Sequence, residues 1–132
     1  MSRENLEALR RVYAGSEHGD FTTSEPLMEK NIVLVVARSF PTQGVWVGLD
    51  GVRKFSAQFF EAWESLTIAA ESYTEVGDSV LVSVRQRGVG AGSGVPAEMR
   101  YFELWTFRGG KVIRLDVIAD EAEAHEAVGL RE

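Results

Sequence analysis

The chain has 132 residues, 45% of them hydrophobic and 26% charged, an ordinary composition for one globular domain spanning 1–132. Its formal net charge of −6 argues against nucleic acid or an anionic membrane as partner, and the absence of cysteine excludes disulfides, thiolate nucleophiles and cysteine-held metals. No apolar run reaches membrane-spanning length and the first residues are polar, so a cytoplasmic protein is expected.

Leu6, Leu9 and Tyr13 share one face, which predicts an amphipathic helix over 2–15. A short second helix is expected to open at Thr22–Ser24 and run through Met28, with Pro26 in its first turn. The β-branched run Asn31–Ala37 reads as a strand buried on both faces. A loop then leads to a short strand around Trp46. The strongest helix runs from Asp50 to about Glu64, with Val52, Phe55, Phe59, Ala62 and Trp63 at three- and four-residue spacing. Leu66–Glu75 and Val80–Gly88 read as strands about a turn at Gly77-Asp78. The glycines of Gly88–Gly94 predict a long hairpin loop, placed to act as a flap over a pocket. Asp120, with Glu123 three residues on, forms a capping box for a last helix ending at Gly129.

Met99–Arg108 and Lys111–Ala119 flank Gly109-Gly110, the preferred chemistry for a two-residue hairpin turn. Pairing Arg108 with Lys111 then opposes Phe107 to Val112, Trp105 to Arg114, Glu103 to Asp116 and Tyr101 to Ile118. In that register Phe102, Leu104, Thr106, Ile113, Leu115 and Val117 form an apolar inner face. Tyr101, Glu103, Trp105 and Asp116 fall on the outer one.

The run Glu4-Asn5-Leu6-Glu-Ala-Leu9-Arg10-Arg11-Val12-Tyr13 resembles the SnoaL-like branch of the nuclear transport factor 2-like superfamily. So do Trp46-Val-Gly48-Leu-Asp-Gly51-Val52-Arg53-Lys-Phe55, Gly77-Asp78-Ser-Val-Leu-Val82 and Trp105-Thr-Phe-Arg-Gly-Gly110-Lys111-Val112-Ile-Arg114. The resemblance spans nearly the whole chain. It implies an α+β fold, a cone-shaped, curved antiparallel sheet wrapped around helices with an internal pocket, often dimerised through the sheet. Relatives include polyketide cyclases, ketosteroid isomerases, epoxide hydrolases and proteins that only bind ligands. Where relatives often carry an Asp-Pro-Asp-Val type turn, this chain has Met28-Glu-Lys-Asn31.

Glu103 and Asp116 are the catalytic candidates. Directly opposed carboxylates sit about 4.5–5.5 Å apart at Cβ, and in a dry site one of them would titrate high. The competing reading joins them to Arg85, Arg87 and Arg114 in a surface salt-bridge lattice. In the derived register both acids lie outside the pocket, and the aromatic and charged face bearing Tyr101 and Trp105 is expected to form a homodimer interface.

The pocket lining expected from this register is Tyr13, Trp46, Phe55, Phe59, Trp63, Gln86, Phe102, Leu104, Leu115 and Val117, suited to a small hydrophobic or aromatic ligand. His18 and His125 lack convergent spacing, so no metal and no cofactor is expected. The leading expectation is therefore a small-molecule-binding protein. A cofactor-independent isomerase, cyclase or epoxide hydrolase is the alternative, and requires Glu103 or Asp116 to point inward. A dimeric protein-interaction module is the third.

Overall fold

Leu9, Val12 and Tyr13 recur at helical steps and are all buried on α1 (Ser2–Ser16), the first element of a computed structural model that describes residues 2–131 and the side chains of 3–129. A single 3-10 turn, Glu25–Leu27, stands where the short second helix is expected. The remaining elements are β1 (Met28–Val36), β2 (Gly44–Val47), α2 (Gly48–Glu61), β3 (Trp63–Val76), β4 (Ser79–Gly90), β5 (Pro96–Arg108), β6 (Lys111–Ile118) and α3 (Glu121–Arg131).

The strands form one curved, unclosed sheet in the order β2-β1-β6-β5-β4-β3. Neighbours are antiparallel except β1 and β6, which run parallel. α1 packs on β3 and α2 on β1, which closes the inner face into the expected α+β cone. Burial in β1 alternates: Ile32, Leu34 and Val36 are buried while Val33 and Val35 are half-buried, so this strand is not sealed on both faces. Asp120 Oδ1 accepts the Glu123 N–H at 2.9 Å and caps α3, which continues past Gly129 to Arg131.

The Gly109-Gly110 turn forms as expected, with φ of 59° and 80°, and Arg108 pairs with Lys111 and Phe107 with Val112. The register then slips. Thr106 pairs with Arg114, so Ile113 has no partner on β5 and forms a bulge. Beyond it Trp105 faces Leu115, Leu104 faces Asp116 and Glu103 faces Val117. A one-residue slip exchanges the two faces of a strand relative to its partner. Tyr101, Trp105 and Phe107 accordingly join the main core. Leu104 and Ile118 form a second cluster outside the sheet with Ala124 of α3, and Phe102 and Leu81 pack against it.

Three expectations change with the bulge. Glu103 and Asp116 are not opposed, and they lie on opposite faces. Tyr101 and Trp105 are 5% and 3% exposed, so they do not form the outer dimerisation surface expected of them. The outer lattice keeps Arg114 with Asp116 at 2.9 Å but loses Glu103, and adds Arg85 and Arg100 with Glu71, at 3.9 and 2.9 Å, and Arg87 with Glu98 at 2.9 Å. On the other side of β5, Val82 opposes Glu103 and Val84 opposes Tyr101.

The glycine-rich connection is shorter than expected, because β4 extends to Gly90 and β5 begins at Pro96. Ala91 N–H donates to Ala62 O at 2.9 Å, tying the hairpin tip to the end of α2.

Candidate functional site

Between the inner sheet face and the helices lies a cavity of about 380 Å³. Ile32, Leu34, Val36, Leu115 and Val117 supply aliphatic wall, and Phe55 and Phe59 of α2 face them with rings stacked at 5.7 Å. Tyr13, Gln86, Tyr101, Glu103 and Trp105 add polar groups to this apolar lining. That pattern, an apolar cavity with a few convergent polar groups, is the usual form of a small-molecule site.

Glu103 is the one acidic group that the inner faces of β4, β5 and β6 contribute to this lining among the described residues. Tyr13 Oη donates to its Oε1 at 2.5 Å, and Trp105 Nε1–H donates to Tyr13 Oη at 2.8 Å. An indole N–H cannot accept, so the phenolic proton is directed at the carboxylate. The Tyr13 ring is held edge-on by Trp105 and Tyr73, with centroids 6.2 and 6.1 Å away.

The second oxygen, Oε2, has no hydrogen-bond partner among the described residues. No side-chain polar atom there is both sealed and unpaired, so Oε2 opens on the cavity that Glu103 lines. Glu103 keeps some accessible surface, while the surrounding protein strips away most of its water. Desolvation pushes its carboxyl up to about 7, against the lowering effect of the Tyr13 hydrogen bond. Burial also raises the Tyr13 phenol well above its ordinary value, with the Glu103 charge adding to the effect. Near neutrality the tyrosine is therefore neutral and the glutamate can either give or take a proton.

A second polar pair lies further along the same face. Tyr101 Oη donates to Gln86 Oε1 at 2.9 Å, and Gln86 Nε2 points at Met99 Sδ, 3.7 Å away. Burial raises the Tyr101 phenol as well.

Of the residues expected to line the pocket, Tyr13, Phe55, Phe59, Trp63, Gln86, Leu115 and Val117 do so. Trp46 stands behind the wall: its ring meets Phe55 edge-on at 5.8 Å and its Nε1–H donates to Thr42 O at 3.2 Å. Phe102 and Leu104 face outward, for the register reason given above. Asp116 is buried on the outer side against Arg114, whose Nε lies 3.1 and 3.0 Å from its two oxygens and whose Nη2 lies 2.9 Å from Oδ1.

Sequence reasoning placed Tyr101, Glu103 and Trp105 outside the pocket. Alternation on β6 gives no sign of this, because Ile113, Leu115 and Val117 alternate regularly with Arg114 and Asp116, and the break shows only in the packing. Val112, Leu115 and Val117 all join the inner core, and the three-residue step from Val112 to Leu115 requires a bulge.

A family profile for the SnoaL-like domain matches residues 9–115. Among solved structures, TerC co-crystallised with polyporic acid is 25% identical, with 96% of this chain and 98% of that chain covered and a TM-score of 0.76. An NTF2-like protein of unknown function from Burkholderia pseudomallei K96243 is 17% identical over 95% of this chain and 97% of that one, with a TM-score of 0.78. A candidate SnoaL-like polyketide cyclase from Jannaschia sp. CCS1 is 20% identical over 96% and 92%, with a TM-score of 0.77. No curated protein matches the chain. With the profile covering most of its length and the same cone in each of these structures, the chain belongs to the SnoaL-like domain family.

Proposed function

We propose that this protein is a cofactor-independent acid–base catalyst acting on a hydrophobic or aromatic small molecule, with Glu103 as the proton-transferring group. The observation that carries this reading is the position of Glu103. Its Oε1 is fixed by Tyr13, its Oε2 opens on an apolar cavity, and its carboxyl is poised at about 7. A general acid or base works best when its titration lies near the working pH. Tyr13 and Trp105 act as positioning residues, holding the carboxylate plane so that Oε2 is presented to the ligand.

A proton moves from an acidic C–H or O–H of the ligand to Oε2 and returns to another position of the same molecule. This is the chemistry an isomerase or an intramolecular cyclase requires. The cavity volume and its apolar walls suit a compact ring system, and TerC, crystallised with polyporic acid, supports uptake of a small organic molecule.

The test is solvent-deuterium incorporation into a panel of bicyclic and tricyclic aromatic ketones and enones, followed by proton NMR. Binding is followed separately by quenching of the cavity tryptophans. The native protein is expected to accelerate exchange for at least one bound compound. Glu103→Gln is expected to bind that compound and lose the acceleration by at least about 100-fold. Acceleration that survives in Glu103→Gln, or bound compounds that never exchange, would sink the reading.

A further inference from the structure

The Gln86 amide is 2% exposed, lines the cavity, and has a donor with little to do. Its orientation follows from its neighbours. Tyr101 Oη donates to Gln86 Oε1 at 2.9 Å, leaving Nε2 directed at the Met99 thioether, 3.7 Å away. Reversing the amide would set its carbonyl oxygen against sulfur and remove the acceptor of the Tyr101 proton. A thioether is a weak acceptor, and a primary amide has two protons to place. Under-used donors buried this deeply are costly unless something else is meant to receive them.

We propose that Gln86 is the anchor for an oxygen acceptor on the ligand, so that the site selects elongated ring compounds with a ketone or quinone carbonyl at the end remote from Glu103. This takes the cavity of the preceding reading as the ligand site and names the class of compound it accepts.

Three observations place the anchor. Val82 opposes Glu103, Val84 opposes Tyr101 and Gln86 opposes Met99, so donor and acid lie on one face but four residues apart along β4. Four residues of strand span about 13 Å, and strand side chains stand roughly perpendicular to the sheet, so the acid and the amide reach the cavity at separate points. A fused-ring body can bridge the two points. Met99 lines the cavity and is 38% exposed, so its flexible side chain can swing aside and give up Nε2 to the arriving oxygen. Tyr101 then orients the amide from behind.

The test uses two probes of nearly the same shape, 2-acetylnaphthalene and 2-ethylnaphthalene, which differ in whether they offer a carbonyl oxygen. Dissociation constants are read by tryptophan quenching on the full chain. The native protein is expected to prefer the ketone by about tenfold, the factor one net hydrogen bond supplies. Gln86→Leu is expected to erase the preference while retaining 2-ethylnaphthalene, whose binding also reports that the cavity is intact. If Gln86→Leu loses both probes, Tyr101→Phe decides. It leaves the amide in place but frees its carbonyl, and the preference is expected to fall.

Equal affinity of the two probes for the native protein would overturn the anchor while leaving the Glu103 reading untouched. So would a preference undiminished in Gln86→Leu, or in Tyr101→Phe where that variant decides. Binding of neither probe would overturn the anchor, while the Glu103 reading is judged by the exchange panel. Exchange that fails while the Gln86-dependent preference holds would overturn the catalytic reading alone.

Discussion

Tyr13 and Glu103 are 90 residues apart in the chain and meet in a 2.5 Å hydrogen bond. The contact joins the first helix to the middle of the sheet. Trp105, two residues beyond Glu103 on the same face, donates to the same phenol and fixes its direction. The Tyr13 hydrogen bond lowers the carboxyl that desolvation raises, so Tyr13→Phe is expected to send Glu103 further above about 7. A hydrogen bond to a charged group contributes about 1.5–3 kcal/mol, which corresponds to an upward move of roughly one to two pH units. Carboxyl-carbon NMR, assigned with Glu103→Gln, measures this directly. A titration that stays put or falls would mean that Tyr13 does not hold the carboxylate in solution.

The raised carboxyl also has a consequence for stability. Its folded value of about 7 lies above its ordinary value of 4.5, so the fold binds this proton more tightly than the unfolded chain does. The associated stabilisation is complete below about pH 4.5 and is lost as pH rises through about 7. Relative to Glu103→Gln, which has nothing to titrate, the native protein should lose up to roughly 3 kcal/mol across that window and then level off. Urea unfolding of both proteins at several pH values gives the difference. Parallel pH profiles would contradict a desolvated Glu103.

Asp116 offers the matching control. It faces outward, held by the guanidinium of Arg114, and does not share the cavity with Glu103. Asp116→Asn is therefore expected to leave the Glu103 titration where it is, while costing about 1 kcal/mol through the weakened charge-assisted pair. A drop in the Glu103 value on this substitution would restore a coupled acid pair and refute the assigned faces.

The hairpin shows how far the residues alone reach. Gly109-Gly110 specifies its turn through backbone chemistry, and the first two pairs after it follow correctly. Beyond them both faces of β5 offer large apolar side chains: Tyr101, Trp105 and Phe107 on one, Phe102 and Leu104 on the other. Hydrophobicity alone cannot choose between them. α3 makes this possible, because its Ala124 and Ala127 cover the outer face and let Leu104 be buried there too. The helices, by contrast, carry a single apolar stripe each, so Tyr13, Phe55 and Phe59 were legible as inward-facing. The register read from the turn put Leu115 and Val117 on the pocket side, where they are. The Ile113 bulge leaves those two residues inside but turns β5 over against them, and in doing so it carries Glu103 into the cavity.

Gly88 tests the packing beside that cavity. A Cβ built there would lie 2.7 Å from Ser65 O on the neighbouring strand and 2.7 Å from Cε3 of the Trp63 ring. Its φ is not in the left-handed region, so the constraint is one of space. Gly88→Ala is expected to cost about 1–3 kcal/mol, the usual penalty for overpacking. It should also displace the Trp63 ring, which lines the cavity, and so weaken ligand binding. Adding Trp63→Ala removes the ring clash but leaves the contact with the Ser65 carbonyl, which belongs to the backbone. The two substitutions should therefore be non-additive, with Gly88→Ala costing less in the Trp63→Ala background but still destabilising it. Denaturant midpoints for the four members of this cycle settle the matter. A Gly88→Ala midpoint equal to the native one would mean that β3 and β4 separate there more easily than their register implies.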